Sequence, residues 1–307
     1  MHTAYITHPA CLNHDMGPDH PECPARIHAI EDQLIASGLL DFLAKHEAPR
    51  ASKEQLARVH ERAYIEQIFS RAPSVGLVYL DADTAMNPHS LEAALRAAGA
   101  AVMATDLVIS GQVENAFCNI RPPGHHAGRR SAAGFCIFNN LAVAVAHALE
   151  HHGLQRVAIA DFDVHHGNGT ENIFHDDPRV MLCSTFRHPY YPYCGADSGN
   201  EHIINVPLPA GTASAEFRAA VTERWLPELE RFQPQMLFVS AGFDAHREDD
   251  MGGFGLGDAD YVWVTEQIKD IAKRYSSRRI VSVLEGGYAL HALGRSAAAH
   301  IKSLSGL

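Results

Sequence analysis

The chain has little of three things that would each have fixed its class. Its 307 residues include six cysteines (Cys11, Cys23, Cys118, Cys136, Cys183 and Cys194) and no C-x-x-C pair. So sparse a set does not build a disulfide scaffold, and the thiols are read as reduced core filler. Clusters of Lys and Arg are missing as well, and the formal net charge is −11. That balance argues against the phosphate backbone of DNA or RNA as a ligand. Long apolar runs are also absent: the segment from Ala93 to Ile109 is broken by Arg96 and Asp106, which excludes a membrane span. The opening Met1-His-Thr-Ala-Tyr-Ile-Thr-His-Pro has no basic leader followed by an apolar stretch, so no secretory signal is expected and a cytoplasmic location is. No linker, repeat or low-complexity segment interrupts the chain. With 46% hydrophobic and 20% charged residues it has the make-up of a soluble globular protein, expected to be one domain over residues 1–307.

Hydrophobic patterning then orders the elements. A short strand at Ala4-Tyr-Ile leads into a polar loop, Thr7 to Pro24, of a length uncommon unless it carries function. Helices are expected from Pro24 to Gly38, around Lys53 to Phe69, and from a cap at Ser90 to Gly111. Beyond them strands at 116–120, 157–163, 180–185, 236–240 and 280–284 are separated by helices at 139–152, 214–232 and 258–275, and a last helix closes the chain. Strands alternating with helices imply an α/β fold whose central parallel β-sheet carries helices on both faces.

One stretch stands out. Val157-Ala-Ile-Ala-Asp-Phe-Asp-Val-His-His-Gly-Asn-Gly169 starts as a buried strand and ends in Asp161, Asp163, His165 and His166. Side chains of an extended chain alternate, so Asp161, Asp163 and His165 would share one side at the carboxyl end. Carboxylates and imidazole crowded there are costly to desolvate unless a cation gathers them. Ser240-Ala-Gly-Phe-Asp244 brings a further carboxylate to another strand end. Two carboxylates and one imidazole leave an open coordination position, the mark of a catalytic metal site; zinc suits it, and iron or cobalt would also accept these ligands. A lone D-x-D-x-H would more often be a capped turn, and Asp244 tips the balance.

Two more strand ends carry polar clusters. After Pro122-Pro-Gly124, His125 and His126 sit on a stiff stem, placed for one imidazole to act as general base and the other as a charged aid. Adjacent histidines are usually incidental, and His151-His152 before Gly153 is read that way. Glu285-Gly-Gly-Tyr288 permits close backbone approach and a phenol that could donate to a carbonyl, although Tyr288 alone would more often be a packing residue. Four clusters just past four strand ends mark the edge where α/β sheets bind ligands.

In this order the motifs His20-Pro-Glu-Cys-Pro-Ala-Arg26, Leu80-Asp-Ala-Asp-Thr84, Arg121-Pro-Pro-Gly-His-His126, Gly134-Phe-Cys-Ile-Phe-Asn-Asn140, Asp161 to Thr170, Ala241-Gly-Phe-Asp244 and Glu285-Gly-Gly-Tyr288 resemble the zinc-dependent histone deacetylase family, with its arginase-like fold. By its brevity and loops the chain looks like the bacterial class II side, the histone deacetylase-like amidohydrolases. The resemblance implies zinc on Asp163, His165 and Asp244, His126 as general base, His125 as its partner held by Asp161, and Tyr288 polarising the amide carbonyl. It implies a substrate tunnel walled by Gly134, Phe135 and Tyr191, with Gly287 against the substrate. It also implies potassium held by Asp161, Asp163 and His165 carbonyls with Ser184 and Thr185. Asn168 stands where many members have aspartate, which should leave His126 less basic.

The reaction implied is hydrolysis of an N-acyl amide, foremost an acetylated lysine in a peptide or protein. Acetylpolyamine amidohydrolase is the nearest rival; its acidic gatekeeper position is matched to Leu290, whose apolar side chain favours acyl-lysine, while the acidic net charge pulls weakly towards a small acylated amine. A non-catalytic acyl-lysine or metabolite binder is the rival of another class. An arginase-type metal pair would need more ligands than these motifs hold. No nucleic-acid or membrane partner is expected, and homo-oligomerisation is left open.

Overall fold

The computed structural model describes residues 2–307. Eight strands form one sheet: β1 (Thr3–Thr7), β2 (Ala44–Glu47), β5 (Asn115–Cys118), β6 (Val157–Asp161), β7 (Val180–Arg187), β8 (Ile203–Leu208), β9 (Met236–Ala241) and β10 (Ile280–Leu284). Their order across the sheet is β2-β1-β5-β10-β9-β6-β7-β8, and every adjacent pair is parallel. The two remaining strands, β3 (Val78–Tyr79) and β4 (Ala85–Met86), make a small antiparallel hairpin.

Parallel strands need long crossovers, and helices supply them on both faces, so the inner strands are buried along almost their whole length. One face packs on α4 (Ser90–Ile109) and α5 (Asn140–Glu150), with Phe138, Leu141 and Val145 against Ile159 and Phe238. The other packs on α1 (Ala25–Ala36), α9 (Asp258–Tyr275) and α10 (Leu290–Ser305), with Tyr261, Ile268 and Ile301 against Leu237 and Leu284. Close packing explains one glycine: a Cβ on Gly99 of α4 would run into the Pro49 carbonyl.

The expected α/β architecture is present, with instructive differences. The helix expected around residues 53–69 is two, α2 (Lys53–Leu56) and α3 (Arg62–Arg71), and that expected at 214–232 is α7 (Ser214–Ala220) and α8 (Leu226–Phe232) joined by one π turn. Ser90 is the first helical residue rather than the cap, and its Oγ accepts from Asn87 N at 2.8 Å. β2 and β8, which the patterning missed, are the two edges of the sheet. Edge strands need no continuous apolar run, and β8 contains Pro207. No helix among the described residues is long and apolar enough to cross a membrane.

Candidate active site

The four strands whose ends carry the polar clusters, β5, β10, β9 and β6, are neighbours at the centre of the sheet. Their carboxyl ends therefore open onto one place. The strand β6 stops at Asp161, two residues before the expected end, so the alternation argument does not position the ligands. A pair of turn contacts does: Asp163 N donates to Asp161 Oδ1 at 3.1 Å, and His165 N donates to Asp163 Oδ1 at 2.9 Å. Short acidic side chains that bond the backbone two residues on stabilise such turns.

Asp163, His165 and Asp244 are brought together, with one donor atom from each within 4.8 Å of the others. His165 Nδ1 lies 3.1 Å from Asp163 Oδ1 and 3.1 Å from Asp244 Oδ2. Both carboxylates are buried, and each keeps a backbone donor: Gly286 N to Asp163 Oδ2 at 2.8 Å, and Val164 N to Asp244 Oδ1 at 2.9 Å. Burial and the charge of Asp163 push the Asp244 carboxyl up to about 7, the sign of a site with more negative charge than it can hold alone. The donor set suits a divalent ion, and the residues fit closely round it. A side chain on Gly242 or Gly286 would strike Asp163 or Asp244.

The two histidines of the stem part company. His125 Nδ1 donates to Asp161 Oδ2 at 3.0 Å, and Glu285 Oε2 accepts from Gly124 N at 2.7 Å and His125 N at 3.1 Å. Burial alone would lower the His125 pKa, but Asp163 and Asp161 carry it up to about 10. A bound cation would offset part of that field. His126 goes the other way, held well below the usual imidazole value by burial and by the charges of His125 and His165. Its Nδ1 donates to Asn168 Oδ1 at 2.8 Å, which leaves Nε2 unprotonated.

Tyr288 is reached through Arg26, the last residue of the motif that begins at His20. Buried Arg26 donates through Nε to Gly287 O at 2.6 Å, and its guanidinium lies 5.0 Å from the Tyr288 ring centroid. Asp249 Oδ2 accepts from Tyr288 N at 2.6 Å. The ring thus lies between Arg26 and Phe135, its backbone held by Asp249, and loss of water round the hydroxyl raises the phenol well above its ordinary pKa, so it stays a donor.

Of these groups His126, His165 and Tyr288 line a cavity of about 200 Å³, together with Asp83, Gly134, Phe135, Tyr190, Tyr191 and Met251. Gly134, Phe135 and Tyr191 stand where the tunnel was expected. Gly134 has φ +52, and a Cβ there would meet the His126 ring and the Tyr191 hydroxyl. Tyr190, stacked on His165 with centroids 5.6 Å apart, is a further wall.

Two expectations need correction. Leu290 does not line the cavity; as the first residue of α10 it faces a separate groove against Ala25, Ala29 and Asp32 of α1 and its approach. The non-aromatic apolar side chain lining the cavity is Met251, from the loop after β9, a position that no strand-end pattern marks. Gly287 does not line it either: its carbonyl is taken by Arg26, and its φ of +123 serves the turn that presents Tyr288. Ser184 and Thr185 lie buried on β7, with Ser184 paired to Asp161.

Comparison with known proteins agrees with this arrangement. The family model of the histone deacetylase domain matches residues 20–304. The chain is 36% identical to a probable deacetylase of Archaeoglobus fulgidus, over 94% of this chain and 82% of that protein. It is 36% identical to the histone deacetylase-like amidohydrolase of Pseudomonas aeruginosa, over 99% and 86%. It is 35% identical to the mouse polyamine deacetylase HDAC10, over 93% of this chain and 45% of that one. The crystal structure of the HDA15 HD domain superposes with a TM-score of 0.93 at 34% identity, covering 99% of this chain and 88% of that one. With the fold, the ordered motifs and the matched domain in agreement, the chain belongs to the histone deacetylase family.

Proposed function

We propose that this deacetylase hydrolyses the amide of N-acylated lysine side chains, releasing acetate and the free amine, with zinc held by Asp163, His165 and Asp244. The observation that carries the reading is the meeting, in one small cavity, of a three-donor cluster with a neutral imidazole and a clamped phenol. When bound, zinc would polarise the acyl carbonyl and bring the pKa of its water towards about 7. The chain's own groups do the rest. His126 Nε2, free because Nδ1 is committed to Asn168, takes the proton of the attacking water and returns one to the leaving amine. Tyr288 donates a hydrogen bond to the carbonyl oxygen as it gains charge. His125, bonded to Asp161, supplies positive charge beside that oxygen and holds its ring in place. Phe135, Tyr190, Tyr191 and Met251 surround an alkyl chain with apolar area.

Potassium is proposed beside Asp161, on the carbonyls of Asp161, Asp163 and His165 with Ser184 and Thr185. The support is Ser184 Oγ, buried without a hydrogen-bond partner on the strand paired to Asp161. Such an orphan oxygen costs free energy unless something binds it.

A second reading has its own support. Asp83 lines the cavity, the net charge is −11, and the HDAC10 relatives are named polyamine deacetylases, so a cationic acylated amine is the competing substrate. Turnover of acetyl-lysine peptides and acetylputrescine at equal concentration, with and without a chelator, tests both. The peptide is expected to react faster, and chelation to stop turnover until zinc is restored. A higher kcat/KM for acetylputrescine would move the assignment to polyamines, and zinc-loaded protein inert to every acyl amide would make it a binding protein.

A further inference from the structure

Outside the cavity, the described residues contain one other group with metal-ligand spacing: His147, His151 and His152 each offer a ring nitrogen within 4.8 Å of the others. We propose that these three histidines, with Asp106, form a second site for one divalent transition-metal ion of the zinc, nickel and copper class. Adjacent in sequence, His151 and His152 look incidental, but the fold brings His147 to them. His147 on α5 and His151, its C-cap, are one turn apart, their rings stacked with centroids 4.7 Å apart and 16° between planes. The helix ends there, with His151 N and His152 N both bonded to His147 O, and the turn brings His152 edge-on to both rings at 5.1 and 4.9 Å. Asp106, from the packed helix α4, places Oδ1 2.7 Å from Nε2 of His147 and 2.7 Å from Nε2 of His152.

Three imidazoles and a carboxylate make a nitrogen-rich set that favours borderline metals over magnesium or calcium. A tetrahedral ion with bonds of about 2.0–2.1 Å needs its nitrogens roughly 3.3 Å apart, so nitrogens up to 4.8 Å apart must close by up to about 1.5 Å. His147 is buried and fixed, whereas His151 is exposed and His152 half-buried, free to swing in. The site is remote from the cavity. Asn139 caps the start of α5 beside the stem of His125 and His126, and 11 residues of helix put about 16 Å between that cap and the cluster.

One neighbour opposes the ion and makes the proposal sharper. Arg58 Nη1 lies 2.7 Å from His147 Nδ1, so Nε2 carries the ring proton and gives it to Asp106. Metal on Nε2 requires that proton to move to Nδ1, and Arg58 must then turn away to Glu150, 3.4 Å from its Nε. Arg58 and the metal thus compete for one ring.

Untagged full-length protein, its active site already loaded with zinc, is titrated with Ni2+ by calorimetry. The wild type is expected to bind one equivalent. His151→Ala/His152→Ala is expected to bind it at least tenfold more weakly with amide hydrolysis unchanged, and Arg58→Met, which removes the competing donor and keeps the packing, to bind it several-fold more tightly. A double variant that binds Ni2+ as the wild type does, or an Arg58→Met variant that binds it no tighter, would overturn the site and leave a hydrogen-bonded histidine cluster.

Discussion

His126 Nδ1 sits 2.8 Å from Asn168 Oδ1, so the base of the proposed reaction leans on a neutral acceptor rather than a carboxylate. A carboxylate in that place would favour the protonated imidazole. Asn168→Asp is therefore expected to move the acidic limb of the kcat/KM profile upward by roughly one pH unit. Asn168→Ala, which frees the ring to change tautomer, is expected to cost about 10- to 100-fold in kcat. An acidic limb unmoved in the aspartate variant would mean that His126 is not the titrating base.

Tyr288→Phe leaves the ring in place between Arg26 and Phe135 and removes only the donor. A loss of about 10²- to 10³-fold in kcat is expected with bound zinc unchanged, the size seen for removing one donor to a developing oxyanion. Metal content by mass spectrometry and steady-state kinetics on the same preparation check both halves. Unimpaired turnover would remove the phenol from the mechanism.

Met251 is an apolar member of the cavity wall that Asp83 shares. Met251→Glu adds a second carboxylate there, and the ratio of kcat/KM for acetylputrescine to that for acetyl-lysine peptide is expected to rise at least tenfold. An unchanged ratio would show that selection lies elsewhere along the cavity.

Two buried histidines away from the Asp163, His165 and Asp244 cluster set an acid limit on stability. Burial holds His60 at about 4 and His300 at about 3, below the ordinary 6.5. His60 must stay neutral because Nδ1 donates to Gly128 O at 2.9 Å while Nε2 accepts from Asn139 N at 3.0 Å. Below pH 6.5 the unfolded chain binds protons that the folded chain refuses, so stability falls as pH falls, by about 1.4 kcal/mol per pH unit for each histidine. The His60 contribution is fully lost near pH 4 and that of His300 near pH 3. Denaturant midpoints from pH 7.5 to 4.5 are expected to fall less steeply in His300→Gln, and equal slopes would contradict the assignment.

Much of the site was legible because its residues follow strand ends: Asp163, Asp244, His125 and Glu285 are each announced by an apolar run that stops at a polar group. Met251 and Tyr190 were not. They come from the loops after β9 and β7, and nothing in their local pattern distinguishes them from surface residues until the chain is folded. Leu290 was misplaced for a related reason. Adjacency to Tyr288 in sequence says nothing of direction once a helix starts between them. In the same way the edge strands β2 and β8 escaped a search for apolar runs, because an edge strand is only half enclosed.

The order of strands has a consequence for how the molecule comes together. β10, the last to leave the ribosome, lies between β5 and β9, so without it the sheet is two separate pieces, β2-β1-β5 and β9-β6-β7-β8. The residue that follows it, Glu285, bonds the His125 stem on one piece, while Gly286 bonds Asp163 on the other. A chain that stops before Ile280 holds Asp163, His165 and Asp244 and still lacks the assembled site. That strand is a keystone: the candidate site straddles the seam it closes.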